Sequence, residues 1–224
     1  MSLKSFIFDL DGVITNTAKY HFLAWKRLAD ELQLDFNEEN NELLKGVSRI
    51  RSFEIILELN NVQNRFSAEE KESLANLKNE YYRDYVENIS KEDILPGISE
   101  LITKAKNNGI KCAVASISKN APRILELLGI ANEFNYIADA AKVINPKPAP
   151  EIFLTCAGAL GSKPSECIAF EDAQAGIEAI HSANMMSVGI GVTVTSVEPD
   201  YHIKTTAELD FDDIVSFYNN FSMF

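Results

Sequence analysis

The chain opens on a short, almost wholly apolar run, Lys4 to Phe8, and meets two acids and a glycine directly after it. A run without polar alternation predicts a strand buried on both faces of a parallel sheet. The pattern then changes period. Tyr20, Phe22, Leu23, Trp25, Leu28, Ala29 and Leu32 recur at helical spacing, the mark of one apolar helix face. Helical patterns continue over Asn40 to Leu44, Ile50 to Asn60 and Ala68 to Ile89, with no strand between them. From Ile94 onward helix and strand alternate. A helix opened by Pro96-Gly97 ends near Asn108, before the strand Ile110 to Ala115. A second helix starts at Asn120-Ala-Pro122 and stops at Gly129, before the strand Tyr136 to Ala138. Helix Ala149 to Leu160, strand Cys167 to Phe170, helix Ala175 to Asn184 and strand Met186 to Ile190 follow. The tail predicts a weak strand near Ala207 and a closing helix from Asp213 to Phe221. Strands separated by helices imply parallel crossovers. The expected fold is α/β, a doubly wound parallel sheet of the Rossmann kind with an inserted helical cap: residues 1–15 and 92–224 form the core domain and 16–91 the cap.

Composition narrows the classes. Of 224 residues 46% are hydrophobic and 24% charged, enough to build a sizeable core. A formal net charge of −12 argues against nucleic acid and anionic membranes as partners. An anionic substrate would need its positive charge gathered locally. Cys112, Cys156 and Cys167 are odd in number, sit in apolar surroundings and form no C-x-x-C, which suits buried thiols in a reducing cytoplasm. No apolar run approaches a membrane span and no signal peptide precedes the first strand. Nothing reads as a symmetric apolar interface, so a monomer is expected.

Candidate chemistry gathers at strand ends. Asp9 and Asp11 close the first strand. Burying carboxylates there is costly unless they are paired or bind a metal, although a lone Asp-Leu-Asp-Gly is equally well a turn. The strand Cys112-Ala-Val-Ala-Ser-Ile-Ser118 stops on hydroxyls, Asn145-Pro-Lys147-Pro-Ala-Pro150 holds a lysine before a helix, and Cys167-Ile-Ala-Phe-Glu171-Asp172 ends in an acid pair. In the insert, Leu44-Lys-Gly-Val-Ser-Arg49 joins two helical patterns through a glycine. Arg49 reads as an ordinary surface charge or as a bidentate phosphate ligand.

These four motifs, in this order, are those of the haloacid dehalogenase-like (HAD) phosphotransferases, which the chain resembles from end to end. Within them it is most similar to the β-phosphoglucomutase family, through Phe8-Asp-Leu-Asp-Gly-Val-Ile-Thr15, Thr17, Tyr20-His21, Ala24-Trp25, Leu44 to Arg49, Ala115-Ser116, Ser118-Lys-Asn120, Lys147 to Pro150, Glu171-Asp172 and Gln174-Ala-Gly-Ile177. The resemblance implies interconversion of β-glucose 1-phosphate and glucose 6-phosphate through a β-glucose 1,6-bisphosphate intermediate. Asp9 would be the nucleophile that carries an aspartyl-phosphate, and Asp11 the general acid/base. Mg²⁺ would be held by Asp9, Asp172, Glu171 in its first or second shell, and the Asp11 backbone carbonyl. Ser116, the Ile117 N–H and Lys147 would neutralise the transferring phosphate. Lys45, Gly46, Val47, Ser48, Arg49, Ser52, Ser118, Lys119 and Asn120 would hold the sugar and its other phosphate. Thr17, His21, Trp25 and Lys78 would couple cap closure to the placing of Asp11. Apart from the resemblance, Trp25 reads as core, His21 as structural and Lys78 as a solvated charge. Asn16, Ile117 and Ala173 depart from the family pattern, the bulk of Ile117 bearing on the sugar pocket, and Ile50-Arg51 lacks the acids expected after the cap loop, which puts hexose preference rather than phosphoryl transfer in question. Two other readings stand beside this one: a sugar-phosphate phosphatase on the same core, and a silent protein that binds a phosphosugar.

Overall fold

A computed structural model describes residues 2–44 and 47–221. The chain divides into two compact units, one made of the residues up to Asn16 with those from Ser90 onward, the other of Thr17–Ile89. The helical unit contains α1 (Ala18–Glu31), α2 (Glu38–Glu42), α3 (Arg49–Leu59) and α4 (Ala68–Val86). The α/β unit contains strands β1 (Ser5–Phe8), β2 (Lys111–Val114), β3 (Tyr136–Ile137), β4 (Cys167–Glu171), β5 (Met186–Ile190) and β6 (Tyr201–Ile203). Its helices are α5 (Ile98–Asn107), α6 (Ala121–Leu127), α7 (Glu151–Leu160), α8 (Gln174–Ser182) and α9 (Phe211–Phe221).

The strands form one sheet in the order β3-β2-β1-β4-β5-β6, every neighbouring pair parallel. From β1 the chain builds outward to β2 and β3 on one side and to β4, β5 and β6 on the other. β1 therefore lies at the switch point, where a crevice opens beyond the carboxyl ends of the strands.

Alternation along β1 explains its unbroken apolar run. Ile7 faces a core shared with Ala113, Ala169, Ile152, Phe153 and Ile177. Phe6 and Phe8 point to the opposite face, as neighbours in a strand must, and meet Phe170, Phe134 and Phe211. The Phe8 and Phe170 rings stack 4.6 Å apart and nearly parallel. Both faces are covered, so no polar alternation is needed.

The helical unit has its own core of Trp25, Leu28, Ala29, Phe53, Ile56, Leu57 and Ala75. Its longest helix, α4, starts on a capping box: the Glu70 N–H donates to Ser67 Oγ at 3.2 Å, and the Ser67 N–H donates to Glu70 Oε2 at 2.7 Å. These two bonds satisfy amide groups that an uncapped helix leaves open.

The tail differs from the sequence reading. The edge strand is Tyr201–Ile203, and Ala207 lies in a one-turn helix, Thr206–Glu208. Tyr201 pairs with Val188 and Ile203 with Ile190, but three residues on a sheet edge are too few to show a period. Ends elsewhere move by one to three residues: α2 begins at Glu38 because Asn37 caps it, the Asn40 N–H donating to Asn37 Oδ1 at 2.9 Å. Among the described residues no helix is long and apolar enough to cross a membrane. All three cysteines are free and buried.

Candidate active site

The last hydrogen bond of the ladder sets the first functional residue. The Asp9 N–H donates to the Phe170 carbonyl at 3.0 Å, which keeps Asp9 in line with β1 before the chain turns. The turn is closed by Gly12, whose N–H donates to the Thr15 carbonyl at 2.8 Å. Thr15 in turn donates its hydroxyl to the Asp93 carbonyl at 2.8 Å. Gly12 has φ +79, and a Cβ built on it would sit 1.9 Å from Asp172 Oδ2. Only glycine lets the loop carrying Asp11 approach the acid at the end of β4 this closely.

β4 delivers Glu171 and Asp172. Glu171 is buried, and its Oε1 accepts the N–H groups of Asp172 and Ala173 at 3.2 and 3.1 Å. Its other oxygen accepts from Lys147 Nζ at 2.7 Å, and the same ammonium donates to Asp9 Oδ1 at 2.5 Å. Lys147 reaches in from the loop before α7, next to a cis bond to Pro148. One ammonium thus ties the ends of β1 and β4 together. Room for Glu171 comes from Gly176 on α8, where a Cβ would lie 2.0 Å from Glu171 Oε2.

Electrostatics follow from crowding. Burial raises the Asp9 pKa to about 7, with Lys147 opposing and Glu171 and Asp11 adding repulsion. Burial, then Glu171 and Asp9, raise Asp172 to about 8. Burial works against the Lys147 charge, but the Asp9 and Glu171 carboxylates outweigh it and raise its pKa. Four carboxyl groups, those of Asp9, Asp11, Glu171 and Asp172, meet one ammonium.

That imbalance suits a divalent cation. Asp9, Glu171 and Asp172 each offer an oxygen within 4.8 Å of the others, an all-oxygen donor set of the kind hard Mg²⁺ takes. The residues present therefore fit the ion. Asp9 and Asp172 would hold it, with Glu171 anchored by backbone and Lys147 behind them.

β2, the neighbour of β1, ends at the hydroxyl loop. Ser116 is buried and its Oγ accepts the Ser118 N–H at 3.1 Å, leaving its own O–H to donate. Ser118 Oγ accepts the Asn120 N–H at 3.3 Å. These local bonds hold the loop open ahead of α6. Lys119 is exposed, and Ile117 between the serines is 52% exposed, unusual for its size.

In the helical unit, four residues singled out from sequence come together, with a fifth that was missed. Lys78 Nζ lies 2.8 Å from His21 Nδ1, and over the rings of Trp25 at 4.9 Å and Tyr82 at 5.1 Å. Tyr82 stacks on His21 with ring centres 4.0 Å apart and donates its hydroxyl to Thr17 Oγ1 at 3.2 Å. The missed residue is Tyr82; its place one helical turn after Lys78 is the signal that could have found it. Trp25 also belongs to the core, parallel to Phe53. Arg49 opens α3 and donates to Asn76 Oδ1 at 3.2 Å. Ser48 caps α3 by accepting the Arg51 N–H at 3.3 Å, Ser52 is buried one turn on, and the Val47 N–H donates to the Leu44 carbonyl at 3.3 Å. Lys45 and Gly46 lie outside the described residues. Burial, then Arg49, lowers the Lys78 pKa to about 7, and burial, then Lys78 and Arg49, lowers that of His21.

Comparison with known proteins bears on the family and the fold of the chain. A family model described as haloacid dehalogenase-like hydrolase matches residues 3–184. The chain is 43% identical over 210 residues to the beta-phosphoglucomutase of Bacillus subtilis (strain 168), covering 94% of this chain and 93% of that one. It is 31% identical over 188 residues to a fructose-1-phosphate phosphatase of Escherichia coli (strain K12), covering 82% of this chain and 94% of that one. Among solved structures it matches the crystal structure of a beta-phosphoglucomutase from Clostridium difficile with a TM-score of 0.88 and 45% identity, over 99% of this chain and 100% of that one.

Proposed function

This chain belongs to the haloacid dehalogenase-like hydrolases, and from that premise we propose that it is a β-phosphoglucomutase, an isomerase of carbohydrate metabolism that interconverts β-glucose 1-phosphate and glucose 6-phosphate. The observation that carries the reading is the placing of Asp9 beside Lys147 and Asp172 at the switch point, in a chain with 43% identity to a beta-phosphoglucomutase over 94% of its length.

Phosphorylated Asp9 transfers its phosphoryl group to the 6-hydroxyl of β-glucose 1-phosphate, and Asp11 accepts the hydroxyl proton. The β-glucose 1,6-bisphosphate so formed then presents its other phosphate. The Asp9 carboxylate attacks that phosphorus, the bond to O1 breaks, and Asp11 returns the proton to O1. Phosphorylated Asp9 is regenerated and glucose 6-phosphate leaves. Lys147 and the Ser116 hydroxyl, with the Ile117 N–H, face the charge on the transferring oxygens. Mg²⁺, when bound, offsets the repulsion between phosphate and carboxylate. The backbone carbonyl of Asp11 would join Asp9 and Asp172 in holding the ion. Ser118, Lys119 and Asn120 on the α/β unit, and Val47, Ser48, Arg49 and Ser52 on the helical unit, are assigned to sugar and phosphate binding. Thr17, His21, Trp25 and Lys78 are the helical unit's contribution to turnover. The enzyme acts on a small phosphosugar, as a monomer in the cytoplasm.

A sugar-phosphate phosphatase is the second reading, favoured by the 31% identity to the fructose-1-phosphate phosphatase. One assay separates the two. With Mg²⁺, β-glucose 1-phosphate and a trace of glucose 1,6-bisphosphate, abundant glucose 6-phosphate with little free phosphate is expected, abolished by Asp9→Asn. Free phosphate as the main product would overturn the mutase in favour of the phosphatase.

A further inference from the structure

The helical unit buries a cation without an anion. Lys78 is 3% exposed, and its nitrogen bonds to an imidazole rather than to a carboxylate. The charged or titratable groups that face it are His21 from α1 and Arg49 from α3, while Arg83, also on α4, acts on Arg49. Tyr82 and Trp25 supply ring faces. Among the described residues no acid pairs with Lys78 or Arg49; the side-chain partner of Arg49 is the amide of Asn76. A buried ammonium is ordinarily compensated by an ion pair or gives up its proton.

We propose that this cluster is a proton-linked anion site, in which an anion docking against Arg49 brings the missing negative charge and Lys78 takes up one proton from solvent as it binds. The imidazole permits both states. A neutral Lys78 accepts a hydrogen bond from Nδ1–H of His21, and a charged Lys78 donates to a bare Nδ1 while the ring proton sits on Nε2. The same 2.8 Å contact therefore serves before and after proton uptake. A lysine pushed by burial to about 7 is poised between these states at neutral pH. Only the identity of the natural anion, a phosphate ester, rests on the proposed mutase function.

Sulfate tests the site without turnover and without a proton of its own to exchange near neutral pH. The Lys78 ¹³Cε resonance of the full chain is followed by NMR from pH 5 to 11, with and without sulfate and with no metal. A midpoint near 7 that rises by about one unit or more with sulfate is expected. Calorimetric titration of sulfate at pH 7.5 in Tris and in HEPES should show uptake of roughly half to three quarters of a proton in the wild type. Lys78→Arg, always charged, should bind sulfate with no such uptake, and with His21 locked in the Nε2–H tautomer in ¹⁵N spectra. A Lys78 midpoint near 10 without sulfate, a midpoint that sulfate leaves in place, or equal proton uptake in Lys78→Arg would overturn the proposal. Absence of mutase activity with these signals intact would count against the mutase reading alone.

Discussion

Asp9 and Asp11 sit two residues apart yet should respond differently to removal. In the proposed mechanism Asp9 is the nucleophile and Asp11 the proton carrier, so Asp9→Asn should abolish turnover of every phosphate ester. Asp11→Ala removes a proton carrier, so turnover of sugar phosphates should fall by about 10²–10⁴-fold, with a much smaller loss for activated aryl phosphates, whose leaving groups need no proton; parallel assays with both substrates would check this. Gly176→Ala is the less intuitive case. In an exposed helix alanine in place of glycine stabilises by ~1 kcal/mol. Here its Cβ would fall 2.0 Å from Glu171 Oε2, so thermal unfolding should show a loss of stability instead, with activity falling as the Lys147 contact to Glu171 is disturbed.

At the level of the element, strand and helix termini carry the site. β1 and β4 each end in acids, and the loop before α7 brings the lysine that joins them. Lys147→Met leaves buried carboxylates uncompensated, a change that typically costs about 3–5 kcal/mol, and should slow phosphoryl transfer by about 10²–10³-fold. Denaturant unfolding and steady-state kinetics on one preparation would separate the two effects. For α4 the sign of the pH effect can be worked out. Lys78 has its folded pKa lowered to about 7, against roughly 10.4 in an unfolded chain. Between those values the unfolded chain binds more protons, so this residue's contribution to stability rises with pH from about 7 to about 10 and is lost below 7. The stability of the wild type relative to Lys78→Met should rise over that window, by at most about 1.4 kcal/mol per pH unit, in urea titrations at fixed salt.

For the whole molecule, the divalent ion is the remaining term. Four carboxyl groups against one ammonium disfavour the metal-free α/β unit, so Mg²⁺ should raise the melting temperature and chelation with EDTA should lower it while abolishing phosphoryl transfer. At a hundredfold excess over its dissociation constant an ion that binds only the folded state adds about 2.7 kcal/mol, readily seen by scanning calorimetry. Asp172→Asn should remove most of that shift. The net charge of −12 makes the concentration of basic groups in the helical unit, His21, Arg49, Lys78 and Arg83, a local departure from the average, which composition alone would not disclose.

The sequence by itself determined the α/β class, the helical insert, and the family, because unbroken apolar runs, helical spacing and acids at strand ends are local signals that survive without coordinates. Asp9, Ser116 and the Glu171-Asp172 pair were visible as candidates for the same reason, each ending an apolar segment, and Lys147 was visible as a lysine held among prolines before a helix. Other features were decided only by tertiary structure. The edge strand Tyr201–Ile203 is defined by its pairing with β5 rather than by its own pattern. Apart from the family resemblance, Lys78 looked like a solvated charge, because helical spacing shows which face a residue occupies but not what covers that face. Its burial depends on Trp25, Tyr82 and His21, and Tyr82 gained its place only from the packing of α4 on α1. Gly12 and Gly176 were turn and helix glycines in the sequence, and became close-approach positions only once β4 set Glu171 and Asp172 against them. The physical reason is common to all of these: propensity and periodicity act over neighbours in the chain, whereas burial, charge compensation and steric room depend on residues far away along it.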